Sequence, residues 1–459
     1  MSRVVDIALP TDAEALLDAL VSRGHFAAVV GGAVRDALLE RIVGDLDVVT
    51  AATPDGVRES CEGTTWCQRT YAVGERYGTI GVVLADGTVV EVSQLRGADF
   101  AEDASRRDFT INALGAAWPG LALLDAVGGL ADLDAGILRA PGEPSERFAE
   151  DPLRVLRAAR FVADLGFVLD PATEAAAAAT APLLADVSAE RVRDELTALL
   201  LGEQVGEGLS VALRTGALAE VLPEVAALDG VTQPTFHDLD VFAHTVQTVD
   251  STPAIFRLRW AALLHDVGKG PCRTVEPDGR IRFFRHAKIG AEMTARICER
   301  LRFSKAQSRA VTHLVAEHMR LGDLVIDNPR AVDRAVRRLD LWASSSADAV
   351  RLASAEDAVD LTMADFAATA HRADAPAVRT RLDAAVRASR GRGTRTRPGS
   401  VLGGTELMRE LGLPEGPCVG DAQRAIEEAV AHGELRADDR PGALRVARSA
   451  VARGREGRT

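Results

Sequence analysis

The sequence predicts an α/β domain at the amino-terminal end and a long helical region after it. A short apolar run over residues 26–30 reads as a buried strand that ends in a double-glycine turn. Two β-rich runs, residues 79–84 and 88–95, are joined by Asp86-Gly87, which is a strong hairpin signal. The whole chain has only 4% aromatic residues and many alanines, which favours helices elsewhere. Its 459 residues allow several domains.

The other elements of the first domain follow from local patterns. Residues 11–24 read as an amphipathic helix, because Leu16, Leu17 and Leu20 recur at helical spacing. We also expect helices over residues 33–40 and 57–61, a strand over residues 45–49 and a turn-rich segment over residues 71–78.

Composition excludes some classes of protein and favours others. The sequence has no apolar run long enough for a membrane helix, and the amino terminus lacks the apolar core of a signal peptide. Five scattered cysteines without a C-x-x-C pair indicate a reducing cytoplasm and no zinc ribbon. The net charge of −13 argues against indiscriminate nucleic-acid binding, although an RNA could still meet a local basic face.

The stretch from Gly31 to Thr50 carries the first candidate site. The Gly31-Gly32 turn lets a phosphate approach the backbone closely. Asp45 and Asp47 are two residues apart on a predicted strand and therefore share one face. Two such carboxylates repel each other unless a cation lies between them, and oxygen ligands near phosphate suggest Mg²⁺. This is the apparatus of phosphoryl or nucleotidyl transfer.

The alternative for this stretch is a glycine turn followed by a solvated acidic strand edge. The double glycine and Arg35-Asp36 at this spacing favour the metal site. Glu91 lies on a later predicted strand and is either a third carboxylate near the metal or an exposed strand glutamate.

Residues 102–114 read as a charged helix. Arg106 and Arg107 offer planar guanidinium groups to triphosphate oxygens. Asp108 and Asn112 are four residues apart, so on a helix they share a face that can hold a ribose hydroxyl or a phosphate. An ordinary capped helix is the alternative.

A second helix is expected from Phe148, with Glu150-Asp151-Pro152 in its first turn, where proline is tolerated. Arginines recur every three residues at Arg154, Arg157 and Arg160, broadly along one side. A surface helix with basic residues is the alternative. Ser188 marks a further helix start.

Four strings in order resemble the class II tRNA nucleotidyltransferase (CCA-adding enzyme) and bacterial poly(A) polymerase family. They are Gly-Gly-Ala-Val-Arg-Asp with the later Asp-Leu-Asp, Arg-Arg-Asp-Phe-Thr-Ile-Asn-Ala, Glu-Asp-Pro-Leu-Arg-Val-Leu-Arg, and the segment after Ser188. The resemblance covers about residues 25–435. It implies an α/β nucleotidyltransferase head (1–140), a helical neck (141–205), a helical body (206–375) and a basic linker with a helical tail (376–459).

The same resemblance implies template-independent addition of CMP and AMP to tRNA 3′ ends, with CTP, ATP and Mg²⁺. Asp45 and Asp47 become the catalytic metal ligands. Glu150, Asp151 and Arg154 become the set that reads the incoming base, since a carboxylate accepts from an amino group and an arginine donates to ring acceptors. The nucleotide-binding residues implied are Gly31, Gly32, Arg35, Arg107, Asp108, Asn112, Glu150, Asp151, Arg154 and Arg157.

Two departures from the family pattern concern the head. Only residues 97–101 separate the second hairpin strand from the Glu102 segment, whereas many family members carry a longer flexible loop that is linked to the switch from C to A addition. Enzymes limited to CC addition have this loop shortened, so a CC-adding enzyme is an alternative, as is a poly(A) polymerase. Glu40 also replaces a glycine that is usual in the family.

Eight of the nine histidines follow residue 236, and they indicate a second site. Leu-Leu-His265-Asp266-Val-Gly-Lys resembles the HD phosphohydrolase signature, with His244 upstream and Asp365 as the distant aspartate. These four residues are candidate ligands of a divalent metal, and His286 with either His313 or His318 could serve a second one. The alternatives are a degenerate HD fold kept as a scaffold, or a chain that is chiefly an HD phosphohydrolase with a vestigial head. Intact Asp45 and Asp47 argue against a vestigial head.

The carboxyl-terminal part is expected to begin with an arginine-rich helix end and a flexible basic linker over residues 379–399. Arginines without interleaved aromatic residues suit phosphate contacts rather than base stacking. Residues 402–434 read as helix, turn and helix, similar to the RNA-gripping tail of the family, and residues 451–459 read as frayed.

Overall fold

The structure is a computed structural model. It describes residues 3–73, 78–233, 239–322, 332–336, 354–369, 372–393, 402–413, 416–431, 435 and 439–456. The chain forms two compact units, residues 1–323 with 339–379, and residues 324–338 with 380–459.

The amino-terminal part of the first unit is a sheet covered by helices. Its helices are α1 (Thr11–Ser22), α2 (Gly32–Leu38), α3 (Pro54–Cys61), α4 (Phe100–Ser105) and α5 (Gly129–Ala135). The strands of the sheet are β1 (Ala27–Val30), β2 (Leu46–Thr50), β3 (Cys67–Val73), β4 (Thr79–Leu84), β5 (Val89–Gln94), β6 (Gly115–Ala117) and β7 (Ala122–Leu124). The expected amphipathic helix is confirmed as α1, which buries Leu16, Leu17 and Leu20.

The strand order is β3-β4-β5-β2-β1-β6-β7, so the two central strands β1 and β2 support the double-glycine turn and the aspartates. β1 and β2 are antiparallel, and their register places Val30 opposite Asp47. β2 and β5 are parallel, and their register places Asp47 beside Glu91. The predicted hairpin is confirmed as β4 and β5, with Gly87 at a positive φ of 90° in the turn.

Two predictions in this part are wrong. Residues 71–73, expected in a turn-rich segment, belong to β3, an edge strand whose burial does not alternate, and residues 74–77 lie outside the described residues. The expected helix over residues 102–114 is also broken. α4 ends at Ser105, and only a 3-10 turn, Thr110–Asn112, follows. Phe109 is fully buried in an extended conformation, and a continuous helix could not place it there.

Most of the remaining described residues of the first unit form helices. They are α6 (Pro144–Glu150), α7 (Arg154–Leu165), α8 (Pro171–Thr180), α9 (Ala189–Leu201), α10 (Val205–Arg214), α11 (Ala217–Val221), α12 (Pro223–Ala226), α13 (Val241–Ser251), α14 (Phe256–Leu264), α15 (Lys269–Cys272), α16 (His286–Arg300), α17 (Lys305–Gly322) and α18 (Ala355–Ala367). Short strands pair as β8 (Ile137–Leu138) with β9 (Val168–Leu169), and as β10 (Arg273–Val275) with β11 (Ile281–Phe283). Further 3-10 turns are Ala181–Asp186 and Arg372–Asp374.

The helix expected from Phe148 is in fact two helices. α6 ends at Glu150, Asp151 is extended with φ −148° and ψ 99°, and α7 begins at Arg154. Pro152 explains the break, because a proline disfavours the helical conformation in the residue before it. Ser188 is confirmed as the residue preceding α9.

The second unit has its own apolar core. α19 (Ala375–Gly393) is followed by α20 (Gly404–Leu411), α21 (Pro417–Ala431) and α22 (Arg440–Glu456). The core of this unit includes Leu407, Ala422, Ile426, Ala443 and Ala447. The helix, turn and helix prediction is therefore confirmed, whereas residues 451–456, expected to be frayed, continue α22. The arginine-rich segment stays helical to Gly393, and the expected linker at 394–401 lies outside the described residues.

Candidate active site

The double-glycine turn brings the backbone against a carboxylate. Gly31 has φ 73° and donates its N–H to the Leu114 carbonyl at 3.2 Å. A Cβ atom at Gly31 would lie 3.6 Å from Asp47 Oδ2 and 3.7 Å from a terminal nitrogen of Arg107. Glycine is therefore required by its positive φ, and it keeps open the space between Asp47 and Arg107.

Three acidic residues meet at this turn. Asp47 is largely buried beside Glu91, and Asp45 is exposed one residue before β2 begins. The pKa of Asp47 is raised to about 6 by burial first and then by the charges of Glu91 and Asp45, while the charges of Arg107 and Arg157 act against that rise. A buried carboxylate with two further carboxylates beside it suits a divalent cation that prefers oxygen ligands, because the cation would offset their mutual repulsion. The residues present therefore fit Mg²⁺.

The predicted residues line one cleft with two adjoining lobes. A lobe of about 470 Å³ is lined by Gly31, Gly32, Arg35, Asp45, Asp108 and Asn112, and a lobe of about 700 Å³ by Glu91, Glu150, Asp151 and Arg154. Asp47, Arg107 and Arg157 line both lobes. The structure thus brings together all of the residues that the sequence assigned to the nucleotide site.

Arg35 and Asn112 form the floor of the smaller lobe. The Arg35 guanidinium is buried and donates to Asn112 Oδ1 at 2.7 Å and to Asp36 Oδ1 at 2.9 Å. The Asn112 amide donates to Asp108 Oδ1 at 3.3 Å. Asp108 and Asn112 are therefore neighbours as expected, although the predicted helix that should have joined them is absent.

Arg157 of α7 links the sheet domain to the helices. It donates two hydrogen bonds to Asp108 Oδ2, at 2.6 and 2.9 Å, and one to Glu195 Oε1 of α9 at 3.1 Å. Burial raises the pKa of Asp108, but the charge of Arg157 and its hydrogen bonds outweigh burial and lower that pKa to about 2. Arg160 also donates to Glu195. The carboxylates of Asp108 and Glu195 fix the Arg157 guanidinium at the cleft.

The three predicted base-reading residues lie at the break between α6 and α7. Arg154 donates to the Arg147 carbonyl at 2.9 Å, to the Arg106 carbonyl at 2.8 Å and to Glu150 Oε2 at 3.3 Å. Asp151 accepts from Arg191 of α9 at 2.7 Å. Asp151 is extended between the two helices, and Glu150, Asp151 and Arg154 all line the larger lobe.

Several residues of this cleft were not predicted from the sequence. Arg96 and Arg191 line a third recess of about 240 Å³ beside Arg154, and Asp103 is buried against Arg96 and Arg107. Asp103 stands four residues before Arg107, at the spacing of a helical ion pair, and that spacing was the available signal. Arg96 and Arg191 gave no comparable local signal.

The histidine cluster lies on the packed helices of the body. α13 packs against α18, which brings the buried His244 Nε2 to 2.9 Å from Asp365 Oδ1. His265 Nε2 is 3.1 Å from Asp266 Oδ2 without the geometry of a hydrogen bond, and 3.8 Å from Asp365 Oδ1. The structure therefore brings together all four predicted HD residues.

A second group shares one of these carboxylates. Ligand atoms of Asp266, His286 and His318 lie within 4.8 Å of one another, as do those of His244, His265 and Asp266. Of the two histidines left open by the sequence, His318 joins this second group, and His313 belongs to neither group found in the described part of the chain. Lys269 Nζ lies 2.6 Å from Asp266 Oδ2.

The orientation of the four histidines fits a metal site. Each Nδ1 lies within hydrogen-bonding distance of a backbone carbonyl, at 3.2 Å for His244, 2.8 Å for His265, 2.9 Å for His286 and 2.7 Å for His318. With the proton on Nδ1, the Nε2 lone pair is left for a cation. Burial lowers the pKa of His318 to about 4, which keeps that ring neutral. Imidazole nitrogen with carboxylate oxygen suits a transition metal such as Mn²⁺, Fe²⁺ or Zn²⁺.

Among the described residues, no helix is both long enough and apolar enough to span a bilayer. The five cysteines are unpaired thiols.

Comparison with known families and proteins agrees with both sites. The Poly A polymerase head domain matches residues 27–139, the family described as a probable RNA and SrmB-binding site of polymerase A matches residues 166–228, and the HD domain matches residues 237–360. The last of these covers the segment that holds His244, His265 and Asp266.

Similar proteins differ in the nucleotides that their names specify. The chain is 36% identical over 348 residues to the A-adding tRNA nucleotidyltransferase of Deinococcus radiodurans, covering 73% of this chain and 76% of that protein. It is 34% identical over 424 residues to the CC-adding tRNA nucleotidyltransferase of Thermus thermophilus, covering 88% and 90%. Among solved structures, the CCA-adding enzyme of Bacillus stearothermophilus in complex with CTP superposes with a TM-score of 0.67 at 25% identity, covering 98% and 100%.

Proposed function

Because the chain belongs to the tRNA nucleotidyltransferase and poly(A) polymerase family, we propose that it adds CMP and AMP to the 3′ ends of tRNA without a nucleic-acid template. CTP and ATP are the nucleotide substrates. The observation that carries this proposal is the cleft in which Asp45, Asp47 and Glu91 meet the Gly31 turn opposite a set of arginines. A free 3′-hydroxyl, a triphosphate and a metal ion can all reach this one place.

Asp45 and Asp47 hold Mg²⁺ in this proposal, with Glu91 as a neighbouring carboxylate. When bound, Mg²⁺ promotes attack by the 3′-hydroxyl on the α-phosphate and neutralises the departing pyrophosphate. The Gly31-Gly32 backbone leaves room for the phosphates because a side chain at Gly31 would fill the space between Asp47 and Arg107.

The remaining residues bind and orient the nucleotide. Arg107 and Arg157 supply charge to the phosphate oxygens, since each presents a guanidinium to both lobes of the cleft. Arg35, Asp108 and Asn112 form the connected floor beneath the phosphates and ribose. Glu150, Asp151 and Arg154 select the base by accepting from its amino group and donating to its ring acceptors.

The wider assignments complete the proposal. We divide the chain into head, neck, body and tail at residues 140, 205 and 375. tRNA is the partner, and the family segment at residues 166–228 supports an RNA contact in the helical region. Five free cysteines fit a reducing cytoplasm.

The test is incubation of the full chain with Mg²⁺, CTP and ATP on a tRNA that ends before CCA, followed by sequencing of the 3′ ends. We expect CCA ends from the parental protein and unchanged ends from Asp47→Asn. Ends that stop at CC identify a CC-adding enzyme, and extended A tracts identify a poly(A) polymerase. Unchanged ends with the parental protein contradict the proposal.

A second activity is favoured by the histidine cluster, namely metal-dependent hydrolysis of phosphate esters. The observation behind it is that four histidines turn Nε2 toward Asp266 and Asp365, with every Nδ1 placed against a backbone carbonyl. His244, His265, Asp266 and Asp365 would hold one divalent metal, and His286 with His318 would share Asp266 for a second. A metal pair held there would supply Lewis-acid activation of the attacking water at neutral pH.

This second activity is tested with Mn²⁺-loaded and Zn²⁺-loaded protein on a chromogenic phosphodiester and phosphomonoester. We expect His265→Ala to lose hydrolysis and bound metal while it keeps nucleotide addition. Asp47→Asn is the matched control, with nucleotide addition lost and hydrolysis kept. Absence of both tight metal binding and hydrolysis in the parental protein would show that this HD fold serves as a scaffold.

A further inference from the structure

Asp103 of α4 is an acidic residue that the mechanism above does not use, although it is almost completely buried, with 1% of its surface exposed. Its Oδ2 accepts from Arg107 Nε at 2.9 Å and lies 2.9 Å from a terminal nitrogen of the same guanidinium. Its Oδ1 accepts from the Arg96 backbone N–H at 3.1 Å and lies 3.4 Å from Arg96 Nε. One carboxylate therefore holds two arginines.

Both of these arginines line the nucleotide cleft, at different places. The other terminal nitrogen of Arg107 reaches the Gly31 turn beside Asp47. Arg96 lines the recess that contains Asp151 and Arg154, at the base-reading end. Asp103 is therefore placed to fix the distance between a phosphate-facing guanidinium and one near the base.

The backbone between β5 and α4 reinforces this arrangement. The Ala98 N–H donates to Glu102 Oε2 at 2.9 Å, and the Asp99 side chain accepts from the Glu102 N–H at 3.0 Å. Gly97 has φ 155°, and a Cβ atom there would lie 2.5 Å from the Glu102 carboxyl carbon. The segment that carries Arg96 is thus closed onto the first turn of α4, where Asp103 lies.

We propose that Asp103 is a positioning residue of the nucleotide site that orients Arg107 toward the phosphates and Arg96 toward the base of the bound nucleotide. This inference rests on the proposed function. The physical reason is that a carboxylate bonded to Nε and one terminal nitrogen occupies one edge of a guanidinium and directs the other edge outward. Arg107 is then oriented before the nucleotide arrives, so less of the binding free energy is spent on ordering it.

The first test is Asp103→Asn, which keeps the shape and removes the charge. We expect the KM for CTP and the dissociation constant of CTP in equilibrium dialysis to rise roughly tenfold, since charge-assisted hydrogen bonds are replaced by weaker ones. We expect kcat to change less than KM. Asp99→Asn is the matched control, because it removes an exposed carboxylate of the same segment that contacts neither arginine.

A double-mutant cycle separates positioning from general loss of structure. In an Arg107→Ala background, Asp103→Asn should add little to the loss of CTP binding, because its main partner is gone. Asp103→Ser provides the same readout in case the amide is not accommodated in the buried site. Unchanged CTP binding in a folded Asp103 variant, or a full additional loss in the Arg107→Ala background, overturns the proposal. A parental protein that binds CTP but leaves tRNA unchanged would instead overturn the proposed function.

Discussion

Asp47 and Glu91 lie side by side on adjacent parallel strands, at paired positions of the β2–β5 register. Two carboxylates in this arrangement repel each other, and the larger part of the Asp47 side chain is removed from water. The sheet therefore holds two mutually repelling carboxylates next to the Gly31-Gly32 turn. An electrostatic cost of this kind is characteristic of sites that are stabilised by their ligand.

Removal of the Asp47 charge should abolish nucleotide addition and stabilise the metal-free protein. The pKa of Asp47 is raised from 3.8 to about 6 by burial first and then by Glu91. A folded-state pKa above the unfolded value means that stability falls as the pH rises from about 4 to about 6. The ionised group then costs up to ~3 kcal/mol above pH 6. We expect Asp47→Asn to melt at a higher temperature than the parental protein in EDTA at pH 8, and at a similar temperature at pH 4.

Asp45→Asn is the control for this experiment. Asp45 is exposed, so its replacement should also stop nucleotide addition but leave the melting temperature in EDTA nearly unchanged. Parental rates of addition in either variant would remove that residue from the catalytic role. A lower melting temperature for Asp47→Asn at pH 8 would contradict the electrostatic explanation.

The Arg157–Asp108 pair should make the first unit sensitive to acid. The pKa of Asp108 is lowered to about 2 because Arg157 outweighs burial. A lowered folded-state pKa gives stability that is present above pH 4 and is lost as the pH falls toward 2. The shift corresponds to roughly 2 kcal/mol. We expect Asp108→Asn to lower the free energy of unfolding at pH 7 by at least that amount.

The difference between Asp108→Asn and the parental protein should shrink between pH 4 and pH 2, as measured by urea unfolding at each pH. Asp194→Asn is the matched control, since Asp194 pairs with Arg193 on the exposed side of α9. A difference that stays constant over this range would show that the lost stability comes from packing rather than from the charge of Asp108.

Asp151 and Arg154 should affect base selection in different ways. Arg154 donates to the carbonyls of Arg106 and Arg147, so Arg154→Ala removes structural contacts between α7, α6 and the sheet domain in addition to the proposed base contact. Asp151 has a simpler environment, with Arg191 as its ion-pair partner. We therefore expect Asp151→Asn to relax discrimination among CTP, ATP, UTP and GTP with little change in triphosphate affinity.

Incorporation of each nucleotide alone into the same tRNA, with CTP affinity measured in parallel, tests this prediction. Asp194→Asn should retain parental selectivity. Parental selectivity in both Asp151→Asn and Arg154→Lys would place base reading elsewhere in the cleft.

Local patterns in the sequence were sufficient to predict which residues meet in the cleft where those residues lie close together in the chain. The Gly31 turn, Asp45 and Asp47 occupy one short stretch, so the sequence spacing fixes their geometry. The four HD residues predicted from the sequence also lie together in the structure. His265-Asp266 is a local string, and the packed helices bring His244 to Asp365.

The missed features depend on partners far away in sequence. Residues 106–109 leave the helical path because Asp108 binds Arg157, 49 residues later, and because Phe109 packs against Phe161. β3 is defined by its pairing with β4 rather than by an alternating pattern. The break before α7 was predictable from a local signal, because Pro152 disfavours a helical conformation in Asp151. We instead expected Glu150, Asp151 and Pro152 in the first turn of one helix, whereas α7 begins at Arg154.

The segment between β5 and α4 bears on the choice between C and A addition. Besides the contacts of Ala98 and Asp99, the Leu95 N–H donates to the Thr50 carbonyl at 2.9 Å and the Arg96 N–H donates to Asp103. Backbone or side-chain hydrogen bonds therefore hold this short connection at both ends. Loops that gate a catalytic step need freedom to move, and this connection has little.

We accordingly expect A addition to be slower than C addition. In the proposed mechanism, Asp151 and Arg154 shift relative to Asp47 when the enzyme accepts adenine after two cytosines. The fixed connection at Arg96 should resist that shift, because Arg96 lines the same cleft. A difference of roughly tenfold in rate would correspond to about 1.4 kcal/mol in the barrier. Single-turnover addition of CMP to tRNA ending before CCA, and of AMP to tRNA ending in CC, measures the two steps directly.

Gly97→Ala, which strains the connection without touching the metal-binding carboxylates, should slow AMP addition more than CMP addition. Equal rates for both nucleotides in the parental protein would show that the short connection does not limit the switch.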